Sequence, residues 1–62
     1  MPVVTIELFE GRTKEKKRVL IKAVSKAVSE ALDIPEERIQ IILHESSKDN
    51  WGLKGEQASE RV

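Results

Sequence analysis

The sequence predicts an α+β domain over residues 1–62: one βαβ unit with two parallel strands and one long helix, then a short C-terminal hairpin, the whole assembled as an oligomer. Three observations carry this prediction. A β-branched, apolar run occupies residues 3–9, an apolar stripe at helical spacing occupies 14–32, and a second run containing Ile39, Ile41, Ile42 and Leu43 follows at 39–44. Strand, long helix and strand in that order form a crossover that leaves the strands parallel and is right-handed in nearly all cases.

In the first strand Val4, Ile6 and Leu8 share one face, and Val3, Thr5, Glu7 and Phe9 share the other. Both faces carry apolar groups, so a cover on both sides is expected. Gly11 marks a turn and Thr13 is placed to cap the helix, although Lys16 stands where a reciprocal Glu or Gln would complete a capping box. From Lys14 to Leu32 the positions Val19, Leu20, Ala23, Val24, Ala27, Val28, Ala31 and Leu32 recur at i, i+1, i+4, i+5, which is one helical stripe. Pro35 disfavours helix at Ile34, and Pro35-Glu36-Glu37 reads as a short turn before the second strand. The tail is polar and loop-like from Ser46 until Trp51-Gly52-Leu53-Lys54-Gly55, a glycine-bounded hairpin suited to adding a strand to a neighbour's open edge.

A chain of 62 residues is one small domain with a marginal core, because only about 60% of its unfolded surface is buried at this size. Disulfides and metals compensate in other small proteins, but this chain has no cysteine and one histidine, His44, with no second nitrogen or sulfur ligand near it in sequence. No metal or cofactor is expected. One helix covers one face of a two-stranded sheet, so the other face calls for another copy of the same chain. There is no apolar run of bilayer length and no charged-then-apolar leader, and a cytoplasmic location with no membrane partner is expected.

Eleven basic and eleven acidic residues cancel, yet between Arg12 and Lys26 seven basic residues face one acid, Glu15. No aromatics interleave this run and the whole chain is neutral, which argues against nucleic acid as a partner and for a solvated helix face. A positive rim that steers small anionic substrates is a further use of the same charges. Lys14, Lys16 and Lys17 sit where the helix dipole disfavours cations, which hints at a purpose other than helix stability.

The candidate catalytic group is Pro2. Once Met1 is removed, as a small second residue permits, Pro2 becomes a secondary amine whose direction is set by the strand that follows. A chain-terminal amine titrates at about 7.7–8.0, and an apolar pocket lowers that value because desolvation disfavours the charged form. A general base works best when its pKa lies near the working pH.

Pro2 at the head of the first strand, Leu-Phe-Glu-Gly-Arg-Thr at residues 8–13, Ile21-Lys22-Ala23-Val24-Ser25 in the helix and Trp51-Gly52-Leu53-Lys54-Gly55-Glu56 in the tail resemble the 4-oxalocrotonate tautomerase family over essentially the whole chain. The resemblance implies a cofactor-independent keto–enol isomerase that moves a proton on a small carboxylate-bearing enol or dienol, assembled as a homohexamer, a trimer of dimers. It implies Pro2 as base, Arg12 as the binder of a substrate carboxylate, and Trp51 in place of a phenylalanine that keeps the site apolar. Gln40 stands where one branch has a second arginine for the far end of the substrate. Gln40 donates a hydrogen bond without charge, and charge-assisted bonds are roughly twice as strong, so dicarboxylates are expected to be poorer substrates than mono-acid enols. Arg38 and Arg61 are the candidates to take over that charge. In the branch that hydrates haloacrylates, an arginine and a glutamate occupy the positions of Phe9 and Leu53, so that activity is not expected here.

The first strand advances about 3.3 Å per residue, so Pro2 and Arg12 of one chain lie more than about 20 Å apart. If both act on one small molecule, a second subunit supplies one of them. The alternative is a non-catalytic oligomeric binding module on the same scaffold, favoured by the absent second arginine. Arg12 then caps a turn or pairs with Glu10, and Trp51 serves as an interface anchor, a use compatible with lining a pocket.

Overall fold

A computed structural model describes residues 2–61 of the chain. The elements are β1 (Val3–Phe9), α1 (Lys14–Leu32), β2 (Gln40–Ser46), β3 (Gly52–Leu53) and β4 (Glu56–Gln57), with 3₁₀ turns at Glu36–Arg38, Lys48–Asn50 and Ala58–Glu60. β1 and β2 pair in parallel from Val3↔Gln40 through Phe9↔Ser46, and α1 makes the crossover between them. β3 and β4 pair antiparallel as a separate hairpin.

Local chemistry sets each boundary. Gly11 takes φ 116°, a left-handed value that suits a residue without Cβ, and reverses the chain after β1. The Thr13 hydroxyl accepts from the Lys16 amide at 3.1 Å, capping α1 as its sequence position suggested. At the far end Asp33 is in the left-handed region at φ 57°, its amide and that of Ile34 both reach the Ser29 carbonyl, and Pro35 bars any continuation. The Lys54-Gly55 pair links β3 to β4 with both residues at positive φ, the two-residue turn whose twist matches a hairpin.

Two boundaries differ from expectation. β2 begins at Gln40 rather than Ile39, because the chain is still leaving the Glu36–Arg38 turn, where the Ile39 amide bonds to the Glu36 carbonyl. β2 also runs on through Ser46 instead of stopping at His44, since β1 offers partners as far as Phe9 and the Glu10 amide still donates to the Ser46 carbonyl. After β2 the Lys48–Asn50 segment forms a 3₁₀ turn that Ser47 caps by accepting from the Asp49 amide through its hydroxyl.

The helix stripe is narrower than its apolar residues suggest. Leu20, Val24 and Val28 are half-buried beneath the sheet, together with Lys17, whose ammonium pairs with Glu45 of β2 at 3.0 Å. Val19 and Leu32 are 66% and 57% exposed, and Ala23, Ala27 and Ala31 are exposed as well. On the sheet, Val4, Ile6, Leu8, Ile41 and Leu43 alternate toward α1, while Val3, Thr5, Glu7, Gln40, Ile42 and His44 form an open face. Val3 and Ile42 stay about half exposed there, and Glu7 meets His44 across the strands at 2.7 Å.

No described residue of the single chain is buried. Its accessible surface is 5035 Å², against about 4,000 Å² for a folded monomer of this mass. The radius of gyration is 14.5 Å, where a compact chain of this length has about 10.6 Å. The protomer is a slab with one helix on one side and two free strand edges.

Candidate active site

The site residues fall into two groups at opposite ends of β1. At the first end, Pro2 is half-buried and its carbonyl accepts from the Gln40 amide at 3.0 Å, extending the parallel ladder by one rung. That bond sets Gln40 beside Pro2, with the Gln40 side chain exposed on the open sheet face. Gln40 was chosen from its place in the sequence, and β pairing brings it to Pro2.

At the second end, the Gly11 turn swings Arg12 back so that its Nη1 donates to the Phe9 carbonyl at 3.1 Å. Arg12 is exposed, and among the described residues no carboxylate pairs with it, Glu10 included. A guanidinium has five N–H donors in a planar fork, so most of that fork is free for an anion. The Phe9 ring meets Trp51 edge-on with centroids 4.6 Å apart and planes at 65°, a favourable aromatic geometry. Trp51 is held by its backbone: its amide donates to the Lys48 carbonyl and its carbonyl accepts from Ala58 at 2.8 Å. The Gln57 side chain adds a bond to the Asp49 carbonyl, tying the hairpin to the Lys48–Asn50 turn.

Sequence reasoning therefore found Arg12 and Trp51 separately, and the fold unites them through Phe9. Phe9 and Lys48 were missed as parts of this group. The Lys48 ammonium stands 5.3 Å from the Phe9 ring centre, within cation–π range. Phe9 gave a weak signal, an aromatic on the strand face otherwise occupied by Val3, Thr5 and Glu7; Lys48 gave none, because it follows two serines in a polar tail. Arg38 lies in a 3₁₀ turn and not on β2, so the strand does not align it with Gln40.

The chain's residues from Pro2 to Phe9 span about 23 Å along the strand, and the two groups do not meet within one protomer. A groove of about 510 Å³ lies elsewhere, between α1 and β2, lined by Lys14, Lys17, Arg18, Ile21, Lys22 and Leu43; it contains none of Pro2, Arg12, Gln40 or Trp51. Two of its cations are already paired, Lys17 with Glu45 and Arg18 with Glu15. Among the described residues no cluster of three His, Cys, Asp or Glu could hold a metal ion, and no helix is long and apolar enough to cross a membrane.

Within one protomer there are thus two groups: a half-buried proline at the head of a parallel strand, and at its other end an arginine held by the Phe9 carbonyl together with the Phe9–Trp51 ring pair. The family model for the tautomerase enzymes matches residues 2–61. The chain belongs to the tautomerase family. Membership makes it an isomerase, which favours the catalytic reading over the binding module. It is 44% identical over 59 residues to a 2-hydroxymuconate tautomerase of Pseudomonas putida, covering 95% of this chain and 94% of that protein. A probable tautomerase of Halalkalibacterium halodurans is 39% identical over 61 residues, covering 98% of this chain and all of the relative. Among solved structures, YwhB, a homologue of 4-oxalocrotonate tautomerase, superposes with a TM-score of 0.92 at 38% identity, covering 98% of this chain and all of that one. A heterohexamer 4-oxalocrotonate tautomerase from Chloroflexus aurantiacus gives 0.94 at 31% identity, with both chains fully covered. The tautomerase fold thus accounts for the βαβ unit and its C-terminal hairpin together.

Proposed function

We propose that this tautomerase interconverts the enol and keto forms of a small carboxylate-bearing acid, with Pro2 as the proton-transferring amine after removal of Met1. The amine accepts the enol proton, the oxygen–hydrogen pair closes the carbonyl, and the carbon–carbon π pair takes the proton back from the ammonium at the adjacent or conjugated carbon. Nothing is gained or lost overall, and the amine alone carries the proton between oxygen and carbon. Half-burial of Pro2 removes part of the water that would otherwise stabilise its charged form, which favours the free base. Arg12 binds the carboxylate, Gln40 donates a neutral hydrogen bond near Pro2, and the Trp51 and Phe9 rings exclude water beside Arg12.

The observation that carries this reading is the separation of Pro2–Gln40 from Arg12–Trp51 by the length of β1. One small substrate reaches both groups when a neighbouring protomer brings its Arg12 end to this Pro2. The large free surface, the open sheet face and the exposed Leu53 of the hairpin support the same assembly. The single domain of residues 1–62 forms a homo-oligomer, a hexamer built as a trimer of dimers, and works in the cytoplasm without nucleic-acid or membrane partners. The heterohexameric relative supports the hexamer, and the 2-hydroxymuconate tautomerases support an enol acid as substrate.

A ketonisation assay on simple enol acids tests the proposal. Pro2→Ala lowers kcat by at least about 100-fold, the usual contribution of a positioned acid–base group. Arg12→Ala acts chiefly through KM. An undiminished rate in the Pro2 variant would overturn the mechanism.

A further inference from the structure

We propose that Lys48 is a specificity-determining residue of this site, binding the 2-oxygen of an enol or keto acid whose carboxylate Arg12 holds. The inference deepens the tautomerase reading and rests on it for the identity of the substrate.

Phe9 holds two cations at once. Its carbonyl fixes the Arg12 guanidinium at 3.1 Å, and its ring carries the Lys48 ammonium at 5.3 Å. Among the described residues neither cation has a carboxylate partner, whereas Lys17 and Arg18 both do. Phe9 thus anchors two cations that no described carboxylate neutralises, one through its carbonyl and one through its ring. An anion with two acceptor groups can engage both. The charge is moreover one-sided, because the Pro2–Gln40 end presents a neutral amide and an amine that must be uncharged to act as base.

That asymmetry selects the shape of the ligand. In a 2-oxo acid the carboxylate and the 2-oxygen sit on adjacent carbons, so one end of the molecule carries both the fixed charge and the charge that develops when the C3 proton leaves. Arg12 takes the first in its planar fork, and Lys48, a compact donor on a flexible stem, takes the second. The C3 carbon then projects toward the neighbouring protomer's Pro2. A dicarboxylate puts its second charge at the far end, where Gln40 offers a neutral hydrogen bond. The Lys48–Asn50 turn, secured by Ser47 and by Gln57, fixes the backbone from which Lys48 reaches.

The test uses the full-length, processed protein and reads binding through Trp51, the single tryptophan, which touches Phe9. Titrations are made with phenylpyruvate and with 3-phenylpropanoate, the same acid without its 2-oxygen, in a Pro2→Ala background whose turnover is at least about 100-fold slower. Lys48→Met should weaken phenylpyruvate about tenfold and 3-phenylpropanoate less than about twofold, while Lys48→Arg restores most of the difference and Arg12→Ala weakens both acids. Equal weakening of both acids by Lys48→Met, no weakening of either, or no binding of phenylpyruvate by the Lys48 protein would each overturn the assignment. Lys48 is exposed, so its replacement should leave the circular dichroism spectrum and melting point nearly unchanged. Activity retained by Pro2→Ala would instead count against the proton-transfer mechanism, and the paired-acid titration still reads Lys48 by itself.

Discussion

Mixing two variants impaired at limiting substrate is the sharpest probe of a site divided between chains. Pro2→Ala removes the base from one end of β1 and Arg12→Ala removes the anion holder from the other, about 23 Å away. Each variant assembles only defective sites. When equal amounts are unfolded together and refolded, a site that takes Pro2 from one chain and Arg12 from another is intact with probability one half times one half. At substrate well below the raised KM of Arg12→Ala, about one quarter of the wild-type rate should therefore return, from sites of native KM. The assay is ketonisation of an enol acid before and after co-refolding, with native mass spectrometry reporting how far the chains have exchanged. Mixing Pro2→Ala with wild type under the same conditions should leave about one half of the activity whether or not the chains exchange, which controls for the yield of refolding. If fully exchanged mixtures are no more active than the mean of the two parents, Pro2 and Arg12 act from the same chain and the geometric reasoning is wrong.

Further outcomes follow from the same structure. Gln40→Arg adds a charged donor beside Pro2 and should lower KM for an enol dicarboxylate such as 2-hydroxymuconate by about tenfold, with little change for a mono-acid; steady-state kinetics on the two substrates checks this. The rate at limiting substrate should rise with pH through the ionisation of the Pro2 amine, because Pro2 must be neutral to accept a proton and is lost as base when pH falls through its pKa. Protein that retains Met1 has an amide nitrogen there and should show no such activity at any pH. Phe9→Leu keeps the carbonyl that holds Arg12 but removes the edge-on contact with Trp51, and should cost about 1 kcal/mol in denaturant unfolding at fixed protein concentration.

The long helix was legible because Leu20, Val24 and Val28 repeat at its own period and Thr13 caps it, and the parallel pairing followed from chain order. The stripe overstated what one sheet can cover: Val19, Ala27 and Leu32 are as apolar as their neighbours but lie beyond the two strands. Pattern alone does not distinguish a residue facing its own sheet from one facing another copy. Pro2 was singled out by its place at the head of the strand, whereas the role proposed for Arg12 came from the family resemblance and not from pattern. Lys48 was not legible, because its place over Phe9 depends on a three-residue turn and on hairpin bonds that leave no periodic trace.

The lack of any interior in the isolated slab has a bearing on the life of the chain after synthesis. In the proposed homo-oligomer folding and association are coupled, so a newly made copy would have no stable resting form to wait in and its survival would depend on meeting siblings before a protease finds it. Supply is then self-metering: below a threshold output, orphans are cleared, and above it nearly every copy enters a working particle.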